Sequence, residues 1–260
     1  MKIALGLSYD GTQFCGWQSQ SDKTGVQDAL ELAIASIAQH VVRVYAAGRT
    51  DAGVHAFGQV VHFESNTVRP LSAWVRGVNA YLPVSVRVHW AHVVEDEFHA
   101  RFSARSRSYQ YLLVNAPVAS AHMAHQTGWF HLPLNLAAMQ EAAAYLIGEH
   151  DFSAFRAAAC QAKSPIRTMT KSEVRQVGRY FIFDFSANAF LHHQIRNILG
   201  ALIYVGKGAL PPTHIKALLQ KRNRMLSPPT FSPNGLYLTS VGYEAKWGLP
   251  ELPEKLTILL

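Results

Sequence analysis

The residues with the greatest chemical potential occupy one short run, Gly48-Arg49-Thr50-Asp51-Ala52-Gly53-Val54-His55-Ala56. Arg49 and Asp51 stand two positions apart, and Thr50 and His55 flank the carboxylate. Glycine admits backbone angles that other residues resist, and Asp closes turns through its own side chain, so a plain reversal between strands accounts for part of the pattern. A reversal does not need so many reactive groups, and the run also reads as a loop that presents a working carboxylate, which can act as nucleophile or as base. A second cluster lies in Ser106 to Val114. If this is a strand, Arg107, Tyr109 and Tyr111 share one face and Ser108 and Gln110 the other. Such rings either fill a core or stack on bases. The 13 histidines invite a metal reading, above all His122 with His125 and His192 with His193. Neither pair has a Cys or carboxylate at ordinary zinc spacing, and neighbouring histidines on a helix diverge, so no metal is expected.

The elements that would position these groups follow from periodicity. Lys2 to Ser8 reads as strand, Val26 to Gln39 as helix, Val41 to Ala46 and Gly58 to Glu64 as strands. Ser72 to Tyr81 reads as helix, with Ser72 as N-cap and Pro83 as stop, and Val86 to Val93 as a closing strand. The second half repeats the order: strand Ser106 to Val114, helix Leu136 to Ile147, strands Lys171 to Val177 and Tyr180 to Ser186, a long helix His192 to Val205. An extra helix at Thr213 to Lys221 and a last strand at Leu236 to Tyr243 complete it. Asp151 to Pro165 has no periodicity and reads as a surface loop, either a connector or an RNA contact through Arg156 and Lys163. The expected fold class is α+β: two tandem ferredoxin-like βαββαβ halves, residues 1–105 and 106–260, forming a continuous mixed or antiparallel sheet with helices on one face and a basic cleft between the halves.

Composition narrows the function classes. Of 260 residues, 49% are apolar and only 16% charged, enough to build a core and too apolar for disorder. The formal net charge is +7, and it is uneven: residues 1–130 carry ten basic and nine acidic side chains, residues 131–260 fourteen and eight. A basic second half favours a polyanionic partner such as nucleic acid. Two cysteines, Cys15 and Cys160, are too few for a disulfide framework and point to a reducing, cytoplasmic setting. No run approaches a membrane span, and no signal peptide or membrane association is expected.

Gly48 to Ala56, continued by Phe57, Gly58, Gln59 and Val60, resembles the signature of the TruA family of transfer-RNA pseudouridine synthases. Further blocks resemble that family in order and spacing: Tyr9-Asp10-Gly11-Thr12 with Phe14, Gly16, Trp17 and Gln18; Phe98 to Ala104 leading into Arg107, Tyr109 and Tyr111; Phe190 to Asn197 with Val205 to Gly208; and Pro233 to Leu238 with Val241 and Tyr243. Ser232 stands where the family often has Ala, and Ser227 to Thr230 looks idiosyncratic.

The resemblance implies an isomerase that converts uridine to pseudouridine at positions 38, 39 and 40 of the anticodon arm of tRNA, without cofactor or metal, as a cytoplasmic homodimer. It implies that Asp51 is the catalytic residue and that Arg196 supplies the cation that keeps it ionised; an arginine on an exposed helix face is the plainer reading. It implies that Tyr109 stacks on the target uracil, with Leu236 packed against the same base, although both residue types are ordinary in cores. Extrusion of the base costs a few kcal/mol, and Arg49 could hold the vacated space or be an uninvolved loop arginine. Arg101, Arg105, Arg107, Lys163, Arg167, Lys216, Lys221, Arg222 and Arg224 could track the backbone. A non-catalytic RNA-binding module and a metal-dependent hydrolase are the rival classes; only the first tolerates loss of Asp51, and only the second is sensitive to a chelator.

Overall fold

The computed structural model describes residues 1–251. In chain order its regular elements are β1 (Lys2–Tyr9), α1 (Val26–Ala38), β2 (Tyr45–Ala46), β3 (His55–Glu64), a π-helical turn (Ala73–Gly77) running into α2 (Val78–Tyr81), β4 (Val86–Val94), β5 (Ser106–Asn115), β6 (Gly128–Phe130), α3 (Leu136–Ala144), β7 (Gly148–Asp151), β8 (Ile166–Val177), β9 (Tyr180–Ala187), α4 (Gln194–Gly206), α5 (His214–Lys221) and β10 (Leu236–Gly242). The protein is α+β and divides into two compact units, Met1–Arg105 with the chain from Tyr237 onward, and Ser106–Leu236. Among the described residues no helix is long and apolar enough to cross a membrane.

In the first unit β1 lies between β4 and β3, antiparallel to both, and β10 runs parallel to β3, with Tyr237 opposite His55 and Leu238 opposite Ala56. The sheet is therefore mixed. Residues 106–260 are expected to form one half; the last strand instead belongs to the first unit, because its ladder partner there is β3. Residues Ile3 to Leu7 are buried without interruption since both sheet faces are covered. Phe63, partner of Ile3, meets Trp74 of the π-helical turn edge to face at 5.2 Å. The opposite face holds Ala4, Val60, Trp90, Phe98 and Ala100, closed by Val241, Tyr243 and Trp247.

Two expectations fail locally for identifiable reasons. Val41 to Ala46 shortens to Tyr45–Ala46, because the Val44 N–H donates to Glu31 Oε1 at 2.9 Å and its carbonyl accepts from Gln27 Nε2, so side chains of α1 take the groups a ladder would need. Ser72 is helical in backbone and makes no capping bond; the turn opens with Ala73 N donating to Pro70 O at 2.9 Å.

In the second unit β9 lies between β5 and β8, antiparallel to each, β7 extends β8, and the short β6 joins β5 in parallel. Asn135 caps α3 through a bond from Ala138 N, and Gln140 Nε2 ties that helix to the Val174 carbonyl of β8. The expected helix to Ile147 stops at Ala144, where Tyr145, Leu146 and Ile147 bond three residues back and tighten the end. Helix α4 is buried along nearly its whole length. Residues 151–165 are not wholly a surface loop: Phe152, Ala154 and Phe155 are fully buried around a 3-10 turn at Ser153–Phe155.

Candidate active site

In the first unit the run from Gly48 to Val54 is clamped from several sides. Tyr9 Oη and Thr50 Oγ1 share a buried hydrogen bond of 2.8 Å. Gln59, fully buried on β3, donates through Nε2 to the Gly48 carbonyl at 2.8 Å and to Tyr9 Oη at 3.4 Å. Trp17 N donates to the Thr50 carbonyl at 3.0 Å, and Val54 N to the Asp51 carbonyl at 3.1 Å. Gly16 sits at φ +88°, where a side chain would come within 2.8 Å of the Thr50 oxygen, and a side chain at Gly11 would run into the Val54 carbonyl. Those two glycines let β1 and the segment after it lie flat against the loop. Gly53, at φ +74°, makes the turn itself.

This frame leaves the Asp51 carboxylate partly exposed at the head of β3, while its neighbours Thr50, Val54 and His55 are buried. His55 is seated by Gly11 N, which donates to its Nδ1 at 3.1 Å, and by stacking on Tyr237 at 4.7 Å. The same Nδ1 lies 3.1 Å from Asp10 Oδ1. Burial alone would raise the Asp10 pKa, but the hydroxyl and the backbone N–H of Thr12, both donating to its Oδ1, hold it below the ordinary carboxylate value. Burial likewise pushes the Tyr9 phenol up to about 12, so it stays protonated and available to Thr50. Arg49 is exposed and makes no hydrogen bond or ion pair among the described residues.

The other site candidates belong to the second unit. Tyr109, on β5, is partly exposed and meets Phe190 edge to face at 5.2 Å, with an interplanar angle of 85°. Its strand neighbours face the other way as alternation requires: Ser108 bonds Ser186 at 2.8 Å, and Gln110 Nε2 donates to Asp184 Oδ1 at 2.7 Å, both across the β5–β9 ladder. Tyr111 is fully buried and donates to the Ser232 carbonyl at 3.1 Å. Arg196, in the first turn of α4, donates through Nε to the Phe231 carbonyl at 3.0 Å, while Phe231 N donates back to the Arg196 carbonyl at 3.0 Å. The guanidinium is thus held by one edge. A cation in the first turn of a helix opposes the helix dipole, an arrangement that an anion nearby offsets. Leu236 is buried at the end of a turn in which Leu112 N donates to the Gly235 carbonyl at 2.8 Å.

His192 and His193 do not diverge as helical neighbours would. They precede α4, His193 adopts a left-handed backbone with φ +59°, and the two rings lie 4.0 Å apart. Several of the basic residues that could track RNA also make bonds within the protein. Arg105 bonds Glu244, Arg222 reaches Asp151 at 3.5 Å, and Arg224 binds the carbonyls of Ser227 and Pro228 together with Asn197 and Thr230. Sequence reasoning assigned no positioning role to Thr50, Gln59 and Phe190, although Thr50 lies in the Gly48 to Ala56 run, Gln59 in its continuation as a polar residue in an apolar strand, and Phe190 at the head of the block that ends at Asn197.

A family model described as tRNA pseudouridine synthase matches residues 7–103 and 142–244, which contain Arg49, Asp51, Arg196 and Leu236 but not Tyr109. The chain is 63% identical over 258 residues to the tRNA pseudouridine synthase A of Methylobacillus flagellatus, covering 99% of each. It is 58% identical over 251 residues to the protein of that name from Dechloromonas aromatica, covering 96% of each.

Proposed function

The chain belongs to the tRNA pseudouridine synthase family, and from that premise we propose that it isomerises uridine at positions 38, 39 and 40 of the anticodon arm, with Asp51 as the catalytic residue. As a member of the family it is an isomerase acting on tRNA. The observation that carries the assignment of Asp51 is the loop itself: a partly buried aspartate on a backbone fixed by Trp17 and Gln59, beside a buried Thr50 whose hydroxyl is held by Tyr9. Groups held this firmly act at a fixed geometry, and a misplacement of about 1 Å costs on the order of a hundredfold in rate.

The reaction moves no atoms in or out except protons. The bond between N1 and C1′ breaks, and Asp51 either adds to C1′ or removes the C2′ proton as the uracil departs with the bonding pair. The uracil turns, C5 bonds to C1′, Asp51 is released or the C2′ proton returned, the C5 proton leaves to a base, and N1 takes up a proton. Water must be kept from C1′ throughout, which requires the base to be extruded and enclosed. In this reading Tyr109 stacks on the uracil, a contact worth about 1 to 3 kcal/mol, and Phe190 fixes the angle of its ring. Leu236 packs on the same base, Arg196 opposes the Asp51 charge in the substrate complex, and Arg49 fills the gap left by the extruded nucleotide. The enzyme works without cofactor as a cytoplasmic homodimer.

Tritium release from tRNA labelled at uridine C5 tests the activity, and mapping of the modified positions tests the site. Release with pseudouridine at 38, 39 and 40 is the expected result. Absence of release, or modification outside the anticodon arm, would overturn the proposal, and sedimentation as a monomer would remove its dimeric part.

A further inference from the structure

Three arginines of the second unit, on β5, on β8 and just after the 3-10 turn, gather around the segment from Cys160 to Thr168. Arg107, on β5, is buried, and its Nη1 donates to the Asn188 carbonyl at 2.9 Å. Asn188 is bonded twice to Thr168 of β8, its N–H to the Thr168 carbonyl and its Oδ1 from Thr168 N, each at 3.1 Å, which brings it beside Arg167. Arg167 donates through Nη1 to the carbonyls of Ser164 and Ile166 at 3.0 and 2.5 Å, while its Nε is closed off from solvent and has no partner among the described residues. Arg156 donates through Nη2 to the carbonyls of Cys160 and Ala162 at 2.7 and 2.8 Å.

The electrostatics of this spot are those of a seat for an anion. Burial lowers the Arg167 pKa; the Cys160 sulfur beside it works in the opposite direction, and the charges of Arg156 and Arg107 lower it further. Burial would raise the Cys160 thiol, but N–H groups of Ala162 and His192 and the Arg156 guanidinium hold it below its ordinary value, so negative charge is favoured here. Among the described residues no carboxylate lies within ion-pair distance of Arg156 or Arg167. Crowding like charges at partial burial is unfavourable unless an anion offsets it. Carbonyl oxygens engage one edge of Arg156 and of Arg167, which orients each fork and spares N–H groups for a phosphate, the anion that guanidinium geometry suits.

We propose that Arg107, Arg156 and Arg167 form a seat for one phosphodiester group of the RNA strand, a backbone contact within the second unit. This deepens the tRNA reading above and rests on it. Many arginines on an RNA-binding surface only contribute general attraction; this set is distinguished by its fixed orientation and so binds one linkage.

The test compares the full-length protein with Arg156→Gln, Arg167→Gln and Arg167→Lys, using anticodon-arm RNA and a series of the same RNA with single methylphosphonate linkages. Each Gln variant should raise KM about tenfold, the loss of about 1.4 kcal/mol, with kcat within about twofold. Each should reduce the slope of log affinity against log salt by about 1. Arg167→Lys should keep the slope and recover part of the affinity. In the native protein one neutral linkage should weaken binding, and the same linkage should cost nothing further in Arg167→Gln. Inorganic phosphate should compete weakly with the RNA for the native protein and not for Arg167→Gln. Unchanged KM and slope in folded variants, or penalties that add at every linkage, would overturn the seat; competition by inorganic phosphate as tight as that of RNA would reassign it to the free ion. If Arg156→Gln fails to fold, the methylphosphonate series on native protein and Arg167→Lys still decides. If the native protein binds the RNA through one linkage without releasing tritium, the seat stands and the enzymatic reading falls.

Discussion

Removing the Tyr9 hydroxyl should loosen the catalytic loop in a measurable way. Tyr9 Oη and Thr50 Oγ1 lie 2.8 Å apart, and both residues are almost fully buried. Tyr9→Phe leaves the Thr50 hydroxyl without this partner, and Thr50→Val strands the phenol with only the long contact from Gln59. Leaving a buried polar group unpaired costs about 1 to 3 kcal/mol, whereas replacing both partners costs less than the sum. Each single variant should therefore lose about 2 kcal/mol, and Tyr9→Phe/Thr50→Val should lose less than the two combined by about 1 to 2 kcal/mol. Four of the five tryptophans, Trp17, Trp74, Trp90 and Trp247, lie in the first unit, so denaturant titration followed by tryptophan emission reports that unit. Because the phenol titrates only near 12, the loss should be constant from about pH 7 to about pH 9. Since Thr50 adjoins Asp51, kcat for tritium release should fall about tenfold or more with KM little changed. Additive stability losses, or a stability loss with kcat intact, would refute the view that this bond positions the carboxylate.

Other parts of the structure make separate predictions. Gly235→Ala should cost about 2 to 4 kcal/mol, read as a lowered thermal midpoint, because φ is +91° and the added carbon would meet the Leu112 carbonyl and lie 2.5 Å from Gly128 N. Asn197→Leu should destabilise the second unit by a similar amount: its Nδ2 donates to the buried Phe155 carbonyl at 2.7 Å, which the change leaves unpaired, and its Oδ1 accepts from Thr230 and Arg224. Burial first, then the charges of His99 and Lys2, lower the His62 pKa to about 4, and the ring accepts from Ala100 N at 3.1 Å. The folded protein holds His62 neutral where the unfolded chain protonates it, so this contribution is complete above about pH 6.5 and is lost as pH falls toward 4. Native protein should lose about 1 to 3 kcal/mol more than His62→Gln across that window, and parallel pH profiles would contradict the burial argument.

The first unit was readable because its elements carry strong local signals. Branched residues in Lys2 to Ser8 and Val86 to Val93, and the near-helical spacing of Leu30, Leu32, Ile34 and Ile37, appear as β1, β4 and α1 with nearly the expected ends, although Leu32 is exposed. What escaped depends on distant partners. Nothing in Leu236 to Tyr243 says which strand it joins, and pairing of Tyr237 with His55 is a contact of long sequence separation. Val42 and Val44 alternate as a strand would, yet the side chains of Glu31 and Gln27 take the Val44 backbone groups, and no propensity scale encodes that capture. The short β6 and β7 offer too few residues for a period. For the site, residue types drew attention to the run around Asp51 and to the Arg107, Tyr109 and Tyr111 face, and only the family resemblance pointed to Arg196, but the clamp from Tyr9 and Gln59 emerges only when β1 and β3 pair. The basic residues could not be sorted from sequence: Arg105 and Arg222 pair with carboxylates and Arg224 with carbonyls, Asn197 and Thr230, while among the described residues no carboxylate lies within ion-pair distance of Arg156 or Arg167.

The most direct test of the whole account is tritium release by Asp51→Asn, a change that keeps the size of the side chain and removes its charge. With the loop intact in tryptophan emission and affinity for anticodon-arm RNA retained, release should fall by at least about a thousandfold, as expected when the group that attacks or deprotonates the sugar is lost. Release within about tenfold of the native rate, from protein shown by mass spectrometry to have undergone no deamidation of the introduced amide, would contradict the assignment of the chemistry to Asp51.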